Sequence, residues 1–291
     1  MTTTSPTTPH RSVARRRLDM NLLVLGTLVM AAMAWGVLLL THGSGGHGLE
    51  GHTVTSEVLA PGGAGEAHAQ HGGTAAFVIP PALVGGAVAL GAWGFMVVAM
   101  MLPPALPLLQ TVRRLVSHQP DPWRLTVLSA MTFVGAWMVV GAVLVAGDLG
   151  VRALASSGWL TLDPRWVTGA VLIGAGVYQF TPLKDLCLRG CRSPRSFVLA
   201  HWQGRRSSSA ETFALSGAYA LSCIGCCWAL MLICFTVGTA ALPAMVALSV
   251  IMAAERLVSW GRRLVRPAGF ALIALGAATA LIPVISQSHL M

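Results

Sequence analysis

Charge is what this chain lacks most. Only 10% of its 291 residues are Asp, Glu, Lys or Arg, against roughly a quarter in a soluble domain. A mean hydropathy of +0.70 agrees. A soluble cytosolic enzyme is thereby excluded. A disordered chain is excluded as well, since its mark is low hydrophobicity and 55% of these residues are hydrophobic. There is no internal repeat, no dinucleotide-binding glycine fingerprint and no phosphate loop. No acid–base pair or nucleophile stands out, so the reading leans away from an enzyme. Acid is scarcer than base, 10 Asp and Glu against 19 Lys and Arg, for a net charge of +9. On so apolar a chain that excess bears on membrane topology rather than on nucleic acid.

What is present is a series of apolar runs. An uncharged run of about 18 residues can cross a bilayer as a helix. Such runs lie at Leu22–Leu40, Leu83–Leu108, Leu125–Gly147, Trp166–Leu183, Phe213–Val237, Leu242–Glu255 and Pro267–Ile285, the fourth and sixth being short. Gly238 and Pro243 divide the uncharged stretch 212–254 as a hairpin turn would. Seven spans with the N-terminus inside put 17 of the 19 basic residues on the inner side, leaving only Arg152 and Arg165 outside. An even number of spans spoils that asymmetry, which follows the retention of basic residues on the cytoplasmic side.

The expected fold is therefore an all-α, polytopic transmembrane helix bundle of about seven spans, N-terminus inside and C-terminus outside. It comprises a cytoplasmic basic tail (1–19), a first transmembrane helix (20–41) and an extracytoplasmic Gly/His-rich loop (42–79). A six-helix membrane core (80–286) and an extracytoplasmic tail (287–291) complete it. Gly169–Gly176 reads as a stretch for close helix packing.

The densest chemistry is Ser222-Cys223-Ile224-Gly225-Cys226-Cys227-Trp228-Ala229-Leu230-Met231, with Cys234 beyond it. At helical spacing Cys223, Cys227 and Cys234 fall within about 40° of one another, flanked by Cys226 and Met231. From Cys223 to Cys234 the rise is about 16 Å, too far for one ion. The second span adds Met96, Met100 and Met101; the sixth adds Met245 and Met252, with Glu255 at its end. Thiolate and thioether are soft ligands that favour Cu(I), and thiolate also takes Zn. Packing is the bland alternative, because Met fills gaps and free Cys is often buried as a small hydrophobe.

Cys187 and Cys191 fall on the inner side, where thiols stay reduced. If they are helical, the neighbouring Lys184, Arg189 and Arg192 should lower their pKa values, as suits metal hand-over; an inert solvated pair is the other reading. Tyr178 and Lys184 are expected as interfacial anchors, with Gln179 turned to the bundle. Glu255, followed by Arg256, is either functional or a snorkelling surface acid. His42, His47, His52, His68 and His71 in the outer loop can capture Cu or Zn weakly.

Tyr178-Gln179-Phe180-Thr181-Pro182-Leu183-Lys184-Asp185-Leu186-Cys187-Leu188-Arg189-Gly190-Cys191-Arg192-Ser193-Pro194 and Cys223-Ile224-Gly225-Cys226-Cys227-Trp228-Ala229-Leu230-Met231 resemble the two signatures of an uncharacterised bacterial family of predicted metal-binding integral membrane proteins. Ala99-Met100-Met101-Leu102-Pro103 and Met252 to Glu255 resemble two weaker ones. The resemblance spans residues 90–260 or so and leaves out the N-terminal segment and histidine loop. It implies metal binding by Cys187, Cys191, Cys223, Cys226, Cys227, Met231, Met100 and Met101. Cys234 is outside the motif.

The function expected is soft-metal binding, copper first and zinc as the alternative, in transport or delivery across a bacterial cytoplasmic (inner) membrane. Its partners are the lipid bilayer and a metal donor or acceptor protein. Cys223, Cys226 and Cys227 form the intramembrane site, with Met96, Met100 and Met231 as secondary ligands and Cys187 and Cys191 as the exchange point. A membrane thiol-redox protein and a structural subunit of a larger complex are the competing readings. Vicinal Cys226-Cys227 weighs against the first of these, since adjacent cysteines form a strained disulfide.

Overall fold

The computed structural model describes residues 9–43, 81–157, 163–237 and 242–281. Most of the histidine-rich connection, including His47, His52, His68 and His71, lies outside the described residues, as does the tail 287–291. Among the described residues the chain is all-helical. Its α-helices are α1 (Pro9–Gly43), α2 (Pro81–Leu115), α3 (Pro122–Ser156), α4 (Pro164–Tyr178), α5 (Pro182–Arg192), α6 (Pro194–His201), α7 (Ser208–Val237), α8 (Leu242–Leu257) and α9 (Arg262–Leu281).

Proline sets many of these boundaries. Helices α3 to α6 each carry proline in their first turn, where the missing N–H costs nothing and the fixed φ suits helix entry. Residues ahead of proline avoid the helical region, which is why the run from Trp166 does not continue to Leu183. Helix α4 ends at Tyr178, the chain turns, and Thr181 caps α5 by accepting from the Lys184 N–H at 3.3 Å.

Five helices are long and apolar enough to cross a membrane: Arg17–Leu40, Val84–His118, Pro122–Ser156, Ser208–Thr236 and Arg262–Leu281. They carry the first, second, third, fifth and seventh expected spans. Helices α4 and α8 have 15 and 16 residues, about 22–24 Å at the helical rise, shorter than a hydrocarbon core of about 30 Å. Helix α5 starts within the last residues of the fourth expected span and runs into the connection 185–212, which also holds α6 and the first turn of α7.

Helix α7 is the centre of the bundle. Its apolar window is 56% buried, against 22–33% in the other four long helices. Small residues allow the closest approaches around it. A Cβ on Gly225 of α7 would come within 2.5 Å of Cys187 Sγ on α5. Helices α4 and α9 meet through glycines, a Cβ on Gly176 lying 2.8 Å from Gly269 O and one on Gly169 3.0 Å from Gly276 O. The Gly169–Gly176 stretch thus packs as its composition predicts. Hydroxyls tie α7 to its neighbours: Ser216 donates to Ser129 Oγ at 2.7 Å on α3, and Tyr219 donates to Cys191 O at 3.0 Å on α5. Large apolar side chains such as Met33, Val143, Leu221 and Phe270 point outward.

Candidate metal centre

Helix α7 presents Cys223 and Cys226 one turn apart, and α5 lays Cys191 against them. The three sulfurs all lie within 4.8 Å of one another. Cys226 Sγ is 3.6 Å from Cys191 Sγ and 3.2 Å from Cys227 Sγ, and its S–H donates to Cys223 O at 3.1 Å. All four are buried and none is in a disulfide. A metal held by three sulfurs at about 2.3 Å needs them about 4 Å apart. The cluster has nearly that spacing already, in a dry pocket of soft donors, so Cu(I) or Zn fits with little movement of the backbone.

The cluster joins the two cysteine motifs. Cys191 lies with the α7 thiols rather than beside Cys187 on an exposed face. Cys187 is half-buried against Gly225, and Tyr178 on α4 closes that flank by donating to Gly225 O at 2.5 Å. Cys234 lies nearly two turns past Cys227, buried but outside the three-sulfur group. Met96, Met100, Met101 and Met231 are all buried in the same continuous core as the cysteines, together with Met245 and Met252.

Lowered thiol pKa values were the expectation for Cys187 and Cys191, and the structure reverses it. Both are helical, yet burial pushes the Cys187 thiol up. The Cys191 thiol is raised well above its ordinary value, first by the hydrogen bond with Cys223 that favours its protonated form, and further by burial. The cations expected to act on them are engaged elsewhere. Arg189 grips Asp185 at 2.5 Å, and Arg192 donates to the carbonyls of Glu255, Val258 (2.7 Å) and Ser259 (2.9 Å).

Lys184 is no interfacial anchor either. It and Glu255 are each 1% exposed and form an ion pair of 2.8 Å joining α5 to α8. Gln179 faces inward as expected and accepts a hydrogen bond from the same Lys184 Nζ. Glu255 is therefore a buried, paired acid and not a snorkelling one. The clue in the sequence is that Lys184 is the single lysine of the chain, set within a cysteine motif.

Arg256, unremarked beyond its place next to Glu255, is also buried, at 4% exposure. Its Nη1 donates toward Met101 Sδ at 3.8 Å. Met101 belongs to the same continuous core as Cys191, Cys223, Cys226 and Cys227. The Tyr219 hydroxyl, which donates to Cys191 O at 3.0 Å, is also within hydrogen-bond reach of this guanidinium, so Arg256 sits beside the cysteine cluster.

Residues 90–279 match the model of the PpoB2 family, described as a copper chaperone. That match spans more than half of the chain, and the chain belongs to this family. It includes all six cysteines and Met96, Met100, Met101, Met231, Met245 and Met252. No curated protein and no solved structure matches the chain.

Proposed function

We propose that this member of the copper chaperone family is a membrane protein that takes up Cu(I) on the thiolates of Cys191, Cys223 and Cys226 and passes it to an acceptor protein. The observation that carries the reading is the buried three-sulfur cluster built from two separate motifs. Structural packing alone gives no reason for α5 to bring a third thiol onto two others. The donor set is all sulfur, which selects soft, thiophilic ions, and the family description names copper.

Cys227, 3.2 Å from Cys226, serves as a fourth donor when the ion moves. Met96, Met100, Met101 and Met231 act as secondary soft ligands. Cys187, half-buried where α5 meets α7, is the exchange point. Weak thioether contacts beside strong thiolate ones let an ion pass without a deep trap. The outer histidines gather metal ahead of it.

The bilayer setting rests on the five long apolar helices and their outward-facing apolar side chains. We read α4 and α8 as the two remaining spans, shortened but flanked by polar ends, for seven in all. The N-terminus is then inside and the C-terminus outside, as the distribution of 17 of 19 basic residues favours. A bacterial cytoplasmic membrane suits that arrangement.

Metal content is the test. Detergent-purified protein, loaded with Cu(I) under reducing conditions and freed of loose metal, should hold near-stoichiometric copper, and a Cys191, Cys223, Cys226 to Ser triple variant should hold almost none. Equal, negligible copper in both proteins sinks the reading.

A further inference from the structure

The buried cations of the inner cluster are balanced, with one exception. Lys184 pairs with Glu255. Arg113 pairs with Asp19 at 2.7 Å. The buried Glu211 carboxylate is taken up by the backbone N–H groups of Gln203, Arg205 and Arg206. Among the described residues no carboxylate reaches Arg256. Its Nε and Nη2 have no hydrogen-bond partner there, and the partners its guanidinium does reach, the Met101 thioether and the Tyr219 hydroxyl, are neutral. A guanidinium left unpaired in a dry core is strongly unfavourable, so a fold that keeps one has a negative charge for it to meet in some working state. The guanidinium reaches the cysteine centre through two neighbours, Met101, packed in the same core as the four thiols, and Tyr219, whose hydroxyl donates to Cys191 O at 3.0 Å.

We propose that Arg256 is the counter-ion of the loaded cysteine centre, so that the site takes its metal as an anionic thiolate complex. This rests on the copper reading above and deepens it. The charges decide the matter. Three thiolates around Cu(I) carry a net charge of −2, an expensive charge to bury alone. Arg256 reduces the sum to −1 and does so through nitrogens that are otherwise idle. Two thiolates around Cu(I) carry −1, which Arg256 cancels outright. In either case the guanidinium favours the filled, thiolate-bound state over a site holding neutral thiols. Its fixed fork and permanent charge suit that duty in a buried place better than an ammonium would. Arg256 is a positioning and charge-balancing residue here; the sulfurs make the bonds.

The experiment compares full-length wild type, Arg256→Lys and Arg256→Gln in detergent, measuring Cu(I) affinity by competition with a Cu(I) chelator and sulfur coordination by X-ray absorption. A unit charge a few ångströms away at the effective protein dielectric is worth a factor of about 100 or more in affinity. Arg256→Gln should therefore bind about 100-fold more weakly and show fewer sulfurs around copper, while Arg256→Lys stays within about tenfold of wild type. Wild-type affinity and sulfur number in the Gln variant overturn the proposal, as does a folded Lys variant as weak as the Gln one. If the Gln variant does not fold, the Lys variant decides alone: within tenfold supports the charge, and a loss of 100-fold in folded protein overturns it. Wild type that binds no Cu(I) at all overturns the copper reading instead, a result separable from any difference among the variants.

Discussion

The Sγ of Cys191 lies 3.6 Å from the Sγ of Cys226, although the two residues are 35 positions apart and a whole helix, α6, runs between their own. The cluster therefore exists only while α5 is docked on α7. That docking is held by contacts outside the three-sulfur cluster: the Tyr219 hydrogen bond to Cys191 O, the Lys184–Glu255 pair to α8, and the close packing of Cys187 on Gly225. Whatever loosens α5 also takes the cluster apart, and whatever fills the cluster holds α5 down.

Copper loading should then raise the thermal midpoint of the wild-type protein, because a ligand bound only by the folded state stabilises it. Cys191→Ser should abolish most of that rise and weaken Cu(I) binding by about 100-fold or more, beyond the range seen when groups outside the ligand set are changed. Cys234→Ser, outside the three-sulfur group, should bind copper nearly as wild type. Chelator competition with thermal scans of both variants is the check, and equal losses in the two would count against the assignment.

The Lys184–Glu255 pair makes a different prediction. Both partners are 1% exposed, so Lys184→Met strands a buried carboxylate and should cost about 3 kcal/mol or more. Replacing both, as Lys184→Met with Glu255→Leu, should recover most of the loss, since an apolar pair of similar volume is often as stable as a buried ion pair. Reversible unfolding in detergent measures both. A double variant no better than Lys184→Met would show that the cost lies with Gln179, whose buried side-chain oxygen also loses Lys184 Nζ.

At the other end of the scale, Asp185 is part-exposed and bridges Arg189 and Arg262, at 2.5 and 2.7 Å. The Arg189 hydrogen bonds, with Arg262 beside them, hold its carboxyl below the usual range. Its contribution to stability is therefore complete above an unfolded pKa of about 3.9. It is lost as pH falls through the lower folded value. Solvent screening keeps it under about 1 kcal/mol. Asp185→Asn should lower stability at neutral pH by that small amount, converge on wild type in acid, and so flatten the acid limb of the stability–pH curve below about pH 4.

The sequence is informative wherever the signal is local. Long apolar runs, the three thiols of α7 and the glycine face of α4 all depend on neighbours within a few turns, and each is legible. What escapes depends on packing between distant segments. Nothing in the spacing of Cys187 and Cys191 says that the second leaves its partner for α7, because Gly225 and Tyr219 make that possible from another helix. The same holds for Lys184 and Glu255, 71 residues apart. Their charges look like interface residues on a hydropathy plot, and burial and pairing turn them into core. The pKa expectation fails for a related reason: nearness in sequence to Arg189 and Arg192 counts for little once those side chains point to other partners.

Gly225 is where packing and chemistry can be separated most sharply. A Cβ there would meet Cys187 Sγ at 2.5 Å and Cys187 Cβ at 3.3 Å, a clash with the short, stiff part of the opposing side chain. Gly225→Ala should therefore push α5 away from α7, at roughly 1–3 kcal/mol for overpacking, and carry Cys191 away from Cys226. Copper affinity should fall although every sulfur is still present. Trimming the other side relieves the clash, so Cys187→Ala added to Gly225→Ala should restore stability, and with it the copper bound at Cys191, Cys223 and Cys226. Cys187→Ala alone should keep equilibrium affinity and slow the transfer of copper to an external chelator, because it removes the exchange point and no ligand of the cluster. If instead Cys187→Ala alone lowers affinity as far as Cys191→Ser does, Cys187 belongs to the binding site and the division between holding and handing over is wrong.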